Sequence, residues 1–150
     1  MFNACTLLIS APELPALSIG NVCYANMFIS CFSLKHAPSI LPATTLKTQC
    51  YQGMFYSCNS LIIAPKLPAS SVTYACYYEM FNKCFSLETA PELPATTLAD
   101  SCYCGMFGYC SSLITAPELP ASSLAPKCYW GMFSWCTSLT TAPELPATNL

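Results

Sequence analysis

The chain has no arginine, one histidine (His36) and only five lysines, and charged residues fill 8% of its 150 positions. A soluble domain ordinarily carries about 25%. The five lysines lie far apart, so the clustered cations that track a phosphate backbone are missing and nucleic acid is excluded as a partner. No C-x-x-C pair occurs, and Cys102-Tyr103-Cys104 is too tight for one, so no metal site is expected. His36 stands beside Lys35 with no G-x-S-x-G or comparable nucleophile motif, so neither an enzyme nor a cofactor is expected. Proline recurs too often to leave an apolar run of about 20 residues, which argues against membrane insertion. Met1 is not followed by a basic and then an apolar segment, so no secretory signal is read.

What the chain does have is apolar residues (54%), twelve cysteines and thirteen prolines. They are periodic. Met-Phe recurs at 1, 27, 54, 80, 106 and 132, and the shared pattern is M-F-x-x-C-x-S-L-x-x-A-P-x-L-P-A-[ST]-[ST]-[LV]-x-x-x-C-Y-x-x. The second copy carries one extra residue in Pro38-Ser39-Ile40-Leu41-Pro42. Eleven cysteines fall on the two repeat positions, with Cys104 outside them. The chain is therefore read as a single repeat domain 1–150, divided into 1–26, 27–53, 54–79, 80–105, 106–131 and 132–150.

Counted from Leu98, the apolar residues Cys102, Tyr103, Met106, Phe107 and Cys110 fall at offsets 4, 5, 8, 9 and 12. At 100° per residue these cover about half a helical wheel and predict an amphipathic helix of roughly three turns. Thr97 is its candidate N-cap, with Asp100 completing a capping box. Ser-Leu-x-x-Ala predicts a short strand with Leu113 and Ala116 inward, and A-P-x-L-P a polyproline-like return, since proline has no amide to donate to a ladder.

On such helices two cysteines eight residues apart, as Cys102 and Cys110 are, lie about 12 Å apart and cannot bond. Equivalent cysteines on neighbouring helices would sit about 8–10 Å apart. Buried ladders of small thiols and some inter-repeat disulfides both remain open. Cys104 falls on the outward side of the wheel and is the thiol expected to react. Glu13, Glu92, Glu118 and Glu144 share one repeat position and read as a solubilising surface row.

Segments such as Met54-Phe55-Tyr56-Ser57-Cys58-Asn59-Ser60-Leu61, with proline close behind, resemble the bacterial BspA-like subfamily of leucine-rich repeats over essentially the whole chain. The longer unit and Ala64-Pro65-Lys66-Leu67-Pro68 depart from the commoner family pattern. The resemblance implies an α/β, leucine-rich-repeat-like solenoid of six stacked repeats, each a strand, a Pro-rich return and an amphipathic helix. It also implies an extracellular or cell-surface protein that binds host or cell-surface proteins or glycans. The two residues after the strand leucine would face the ligand: Lys35 and His36, Ile62 and Ile63, Glu88 and Thr89, Ile114 and Thr115. They vary while their neighbours hardly do, which suits binding or neutral drift. Tyr78 and Trp130 are outward helix positions, suited to ligand contact or to seams between repeats.

The expected function is non-enzymatic adhesion through an extended face. The alternative is a structural stalk or a head-to-tail fibre. Met1 lies in the last part of a helix and Leu150 would open the next one, so a segment of a longer chain is expected, or self-association of uncapped ends.

Overall fold

The computed structural model describes residues 1–148, so the helix start expected at Leu150 lies outside the described residues. Among them there is no helix, and extended pairing is confined to isolated single-residue bridges. The expected α/β solenoid of strand-plus-helix repeats, and the leucine-rich-repeat architecture with it, is overturned. The chain forms a stack of coils in which each coil is hydrogen-bonded to the next about one repeat later.

A ribbon of overlapping turns stands where each helix was expected. The amides of Cys50, Gln52, Met54, Tyr56 and Cys58 donate to the carbonyls three residues back. The amides between them, of Gln49, Tyr51, Gly53, Phe55 and Ser57, instead donate to Tyr74, Cys76, Tyr78, Met80 and Asn82 of the next coil, at 2.8–3.0 Å. An α-helix would tie each amide to a carbonyl four residues back. Here φ turns positive at every fourth residue, as at Gln49, Gly53 and Ser57 or Ser101, Gly105 and Tyr109. That sign at the third residue of a turn is the mark of type II geometry, and it interrupts a right-handed helix. Glycine meets the requirement at 53, 105 and 131 without a Cβ penalty, and Asn26 at little cost. Thr97 caps nothing; it bridges Ser71 in the preceding coil.

The apolar spacing has the same explanation. Leu98, Cys102, Met106 and Cys110 recur at multiples of four, and a ribbon with a four-residue period sets them in one straight column. On an α-helix the same residues drift by about 40° per step. Tyr103 and Phe107 form the adjacent column and continue from coil to coil. Phe2, Phe28, Phe55, Phe81, Phe107 and Phe133 stack with ring centroids 5.4–5.8 Å apart. Tyr24, Tyr51, Tyr77, Tyr103 and Tyr129 stack at 5.6–5.9 Å. Each aromatic pair adds about 0.5–1.5 kcal/mol beyond the area it buries. The columns also set the pitch. Coils bonded backbone to backbone lie nearer than packed helices, so the 8–10 Å spacing expected between equivalent residues is too long.

Opposite the turn ribbon runs the extended half of each coil. Leu34, Leu61, Leu87 and Leu113 point into the core and are fully buried, while Ala116 is half-buried. Just past these leucines the chain meets the neighbouring coils through parallel bridges Ser10–His36, His36–Ile63, Ile63–Thr89 and Thr89–Thr115. In the return, Pro65, Pro91 and Pro117 are buried and Pro68, Pro94 and Pro120 exposed. The extra residue of the second copy is absorbed at the start of the return: His36 pairs with Ile63 and Ile40 with Lys66, so residues 37–39 stand opposite residues 64 and 65 and register is restored at Lys66. No helix among the described residues is long and apolar enough to cross a membrane.

Candidate functional site

The buried leucine of each extended run sets the direction of the next two side chains. With Leu61 locked in the core, Ile62 and Ile63 are turned outward, and Ile63 is 70% exposed. Lys35, His36, Glu88, Thr89, Ile114 and Thr115 are exposed in the same way. The second member of each pair sits on the bridge ladder, so His36, Ile63, Thr89 and Thr115 occupy successive rungs. Lys35, His36, Ile62 and Ile63 line one shallow groove of about 290 Å³ with Ala37, Pro38, Ser39 and Ala64. Its walls join a cationic edge to an apolar floor. Farther along the row, Glu88 adds an acid and Ile114 another exposed apolar side chain.

The aromatic candidates lie elsewhere. Tyr78 and Trp130 belong to the turn ribbon, in register with Cys104 between them, and neither lines the Lys35–Ile63 groove. Trp130 is 71% exposed, whereas Tyr78 is half-buried. Burial, and then the nearby Glu79 carboxylate, raise the Tyr78 phenol above its ordinary range. On the same side Tyr109 stacks on Trp135 at 5.9 Å, and the Lys83 ammonium lies between the rings of Tyr56 and Tyr109, 5.3 and 6.0 Å from their centroids.

All twelve cysteines are free thiols. Five of them bind backbone: Cys31, Cys58, Cys84, Cys110 and Cys136 donate from Sγ to the carbonyls of Phe2, Phe28, Phe55, Phe81 and Phe107 in the preceding coil, at 3.0–3.2 Å. Burial raises their thiols, most strongly for the fully enclosed Cys84. In the other column burial pushes Cys102 up to about 11. The expectation that Cys104 is outward and reactive is overturned. It is only 4% exposed, and burial and the nearby Glu79 carboxylate raise its thiol. Both a helical and a four-residue period turn this position away from the Cys102–Met106 column, but its small side chain stands in register between the larger Tyr78 and Trp130 of the neighbouring coils. Among the described residues no group of His, Cys, Asp or Glu is arranged to hold a metal ion.

A further set of surfaces was not anticipated from the sequence. Consecutive A-P-x-L-P returns wall off clefts of about 510 Å³ around Pro91, Glu92 and Glu118, and about 410 Å³ around Pro117, Glu118 and Glu144. The recurring Pro-Glu pair is visible in the sequence, but its meaning depends on coils stacked closely enough for neighbouring returns to share a cleft.

No family model matches the sequence, and neither a curated protein nor a solved structure is significantly similar to it.

Proposed function

We propose that the chain is a non-enzymatic recognition protein, displayed on a cell surface or secreted, whose extended half presents the ligand-contacting row. The observation that carries this reading is the exposure of that row at every coil. Lys35-His36, Ile62-Ile63, Glu88-Thr89 and Ile114-Thr115 differ in charge and size but stand on one repeated backbone. Exposed isoleucines do nothing for a soluble core, and together with the Lys35–Ile63 groove they supply apolar contact ringed by polar groups. Trp130 on the turn ribbon is a separate anchor for protein or sugar. The likeness of the Met-Phe-x-x-Cys-x-Ser-Leu segments to BspA-like repeats supports adhesion as the purpose.

The test is capture on arrays of extracellular-matrix proteins and glycans. Lys35→Ala combined with His36→Ala, or Ile63→Ser, should abolish capture of any ligand the native chain retains, with an unchanged thermal midpoint. Capture that survives all three substitutions, or no capture by the native chain, would sink the proposal. A stalk is the second reading, favoured by the unbroken Phe and Tyr columns. It requires that strand-side substitutions have no effect while column substitutions do.

A further inference from the structure

The exposed row of the extended half is complementary to its own reverse. Its first column runs Ile9, Lys35, Ile62, Glu88, Ile114 along the stack. Backbone bonds on these residues hold the column in register: the Lys35 amide donates to the Ile9 carbonyl at 2.9 Å, and the Glu88 and Ile114 amides donate to the carbonyls of Ile62 and Glu88 at 3.3 Å. Parallel bridges join the second column, Ser10, His36, Ile63, Thr89 and Thr115, rung by rung. Rungs paired in this way are about 4.8 Å apart, so Lys35 and Glu88 stand about 10 Å apart on either side of Ile62. Ile9, Ile62, Ile63 and Ile114 are 41–70% exposed, and Lys35 and Glu88 are exposed as well. Apolar side chains held in water in line with one cation and one anion are the makings of a contact surface.

The order of charges selects the occupant. A twofold axis lying in the contact plane along the Ile62–Ile63 rung sets Lys35 against the second copy's Glu88, and Glu88 against the second copy's Lys35. The same rotation sets Ile9 against Ile114, Ile62 against Ile62 and His36 against Thr89. No other rung serves: an axis at Lys35 opposes two lysines, and one at Glu88 opposes two glutamates. An axis midway between the Ile62 rung and either neighbour sets a charge against an isoleucine, and an axis along the stack sets each rung against itself. We propose that the chain forms an isologous dimer through this face, with the two stacks antiparallel. The isoleucines supply the apolar contact and the two Lys35–Glu88 pairs fix its register. Five rungs span about 20 Å, which puts the buried area at the low end for specific interfaces, so the dimer exchanges with monomer. It occupies the row assigned to adhesion but does not rest on that reading. Self-association is read with no ligand present, so either can fail alone.

The experiment is sedimentation equilibrium of the whole chain under reducing conditions. From about 10 μM to about 1 mM the native chain should pass from monomer to dimer. K35E and E88K should each weaken the dimer at least about tenfold, because either reversal makes both facing pairs repulsive. K35E and E88K combined in one chain restore the opposition of charges and should restore the dimer. The two single variants, mixed, should associate with each other more tightly than either does with itself, a result that an unspecific apolar contact would not give. Near-UV circular dichroism checks that every variant remains folded. The proposal is overturned if the native chain is still monomeric at the highest concentration, if it grows past a dimer, or if neither the double variant nor the mixture recovers association.

Discussion

The Cys58 thiol donates to the Phe28 carbonyl of the preceding coil at 3.1 Å, and that same coil stacks its Phe28 ring on Phe55 three residues before Cys58. One short segment thus ties two coils by a side-chain hydrogen bond and a ring contact. Cys58→Ala removes the donor and leaves the carbonyl with only its bond from the Cys31 amide. We expect a loss of about 1–2 kcal/mol, from the lost bond and the small void together, read from urea unfolding.

Phe81 stacks on Phe55 and Phe107 at 5.6 and 5.7 Å and is fully buried. Phe81→Ala should cost about 3–5 kcal/mol, the range for large core truncations. Phe81→Leu should cost less, because it keeps most of the apolar volume and loses the two ring contacts. If both unfold at the same denaturant midpoint, the column contributes bulk and not stacking.

Val22 has φ of 56°, a conformation that a β-branched side chain adopts only under strain, yet it is 54% exposed and has little packing to lose. Val22→Gly should therefore stabilise the chain by about 1 kcal/mol, against the usual direction for a glycine substitution. The mirror change is Gly105→Ala, where φ is 62° and a Cβ would stand 3.0 Å from Glu79 Cγ. It should destabilise by a similar amount. Thermal midpoints of the two variants should move in opposite directions.

Stability should fall on the alkaline side. The buried thiols have folded-state values above the ordinary 9.0, with Cys102 and Cys136 at about 11. The unfolded chain then loses protons from about pH 9 while the folded one keeps them, which favours unfolding. The contribution is complete below pH 9 and is lost between about 9 and 11 for these two groups. Urea titrations at pH 7, 9 and 10 check the sign, and a midpoint that rises with pH would refute it.

Thiol accessibility divides the cysteines sharply. Cys5 and Cys23 are exposed, and Cys104 is among the buried ones. An alkylating reagent under native conditions should modify Cys5 and Cys23 first and leave Cys104 untouched, as peptide mass spectrometry would show.

The repeat could be read from the sequence, because a strict period survives any choice of backbone. The helix could not. Leu98, Cys102, Met106 and Cys110 satisfy a period of 3.6 loosely and one of 4.0 tightly, and a half-wheel criterion accepts both. Glycine at 53, 105 and 131 was the available clue, since it falls where φ must be positive. Asn26 and Glu79, which fill the same slot elsewhere, hide it. The Phe and Tyr columns and the return clefts were illegible for another reason: they exist only at the short spacing of coils joined backbone to backbone.

On the extended side, hydrogen bonds between coils run both ways: Lys35 donates back to Ile9, and Ala11 donates forward to His36. Along the turn ribbon they run only one way. From Val22 to Tyr109, each inter-coil amide points toward the next coil and each partner carbonyl toward the preceding one. Peptide dipoles of about 3.5 D that never alternate must add. The stack is therefore an electrical rod with the opposite sense to an α-helix, negative around Asn21–Ala25 and positive around Lys127–Trp135, so that its two ends present different fields to whatever approaches them.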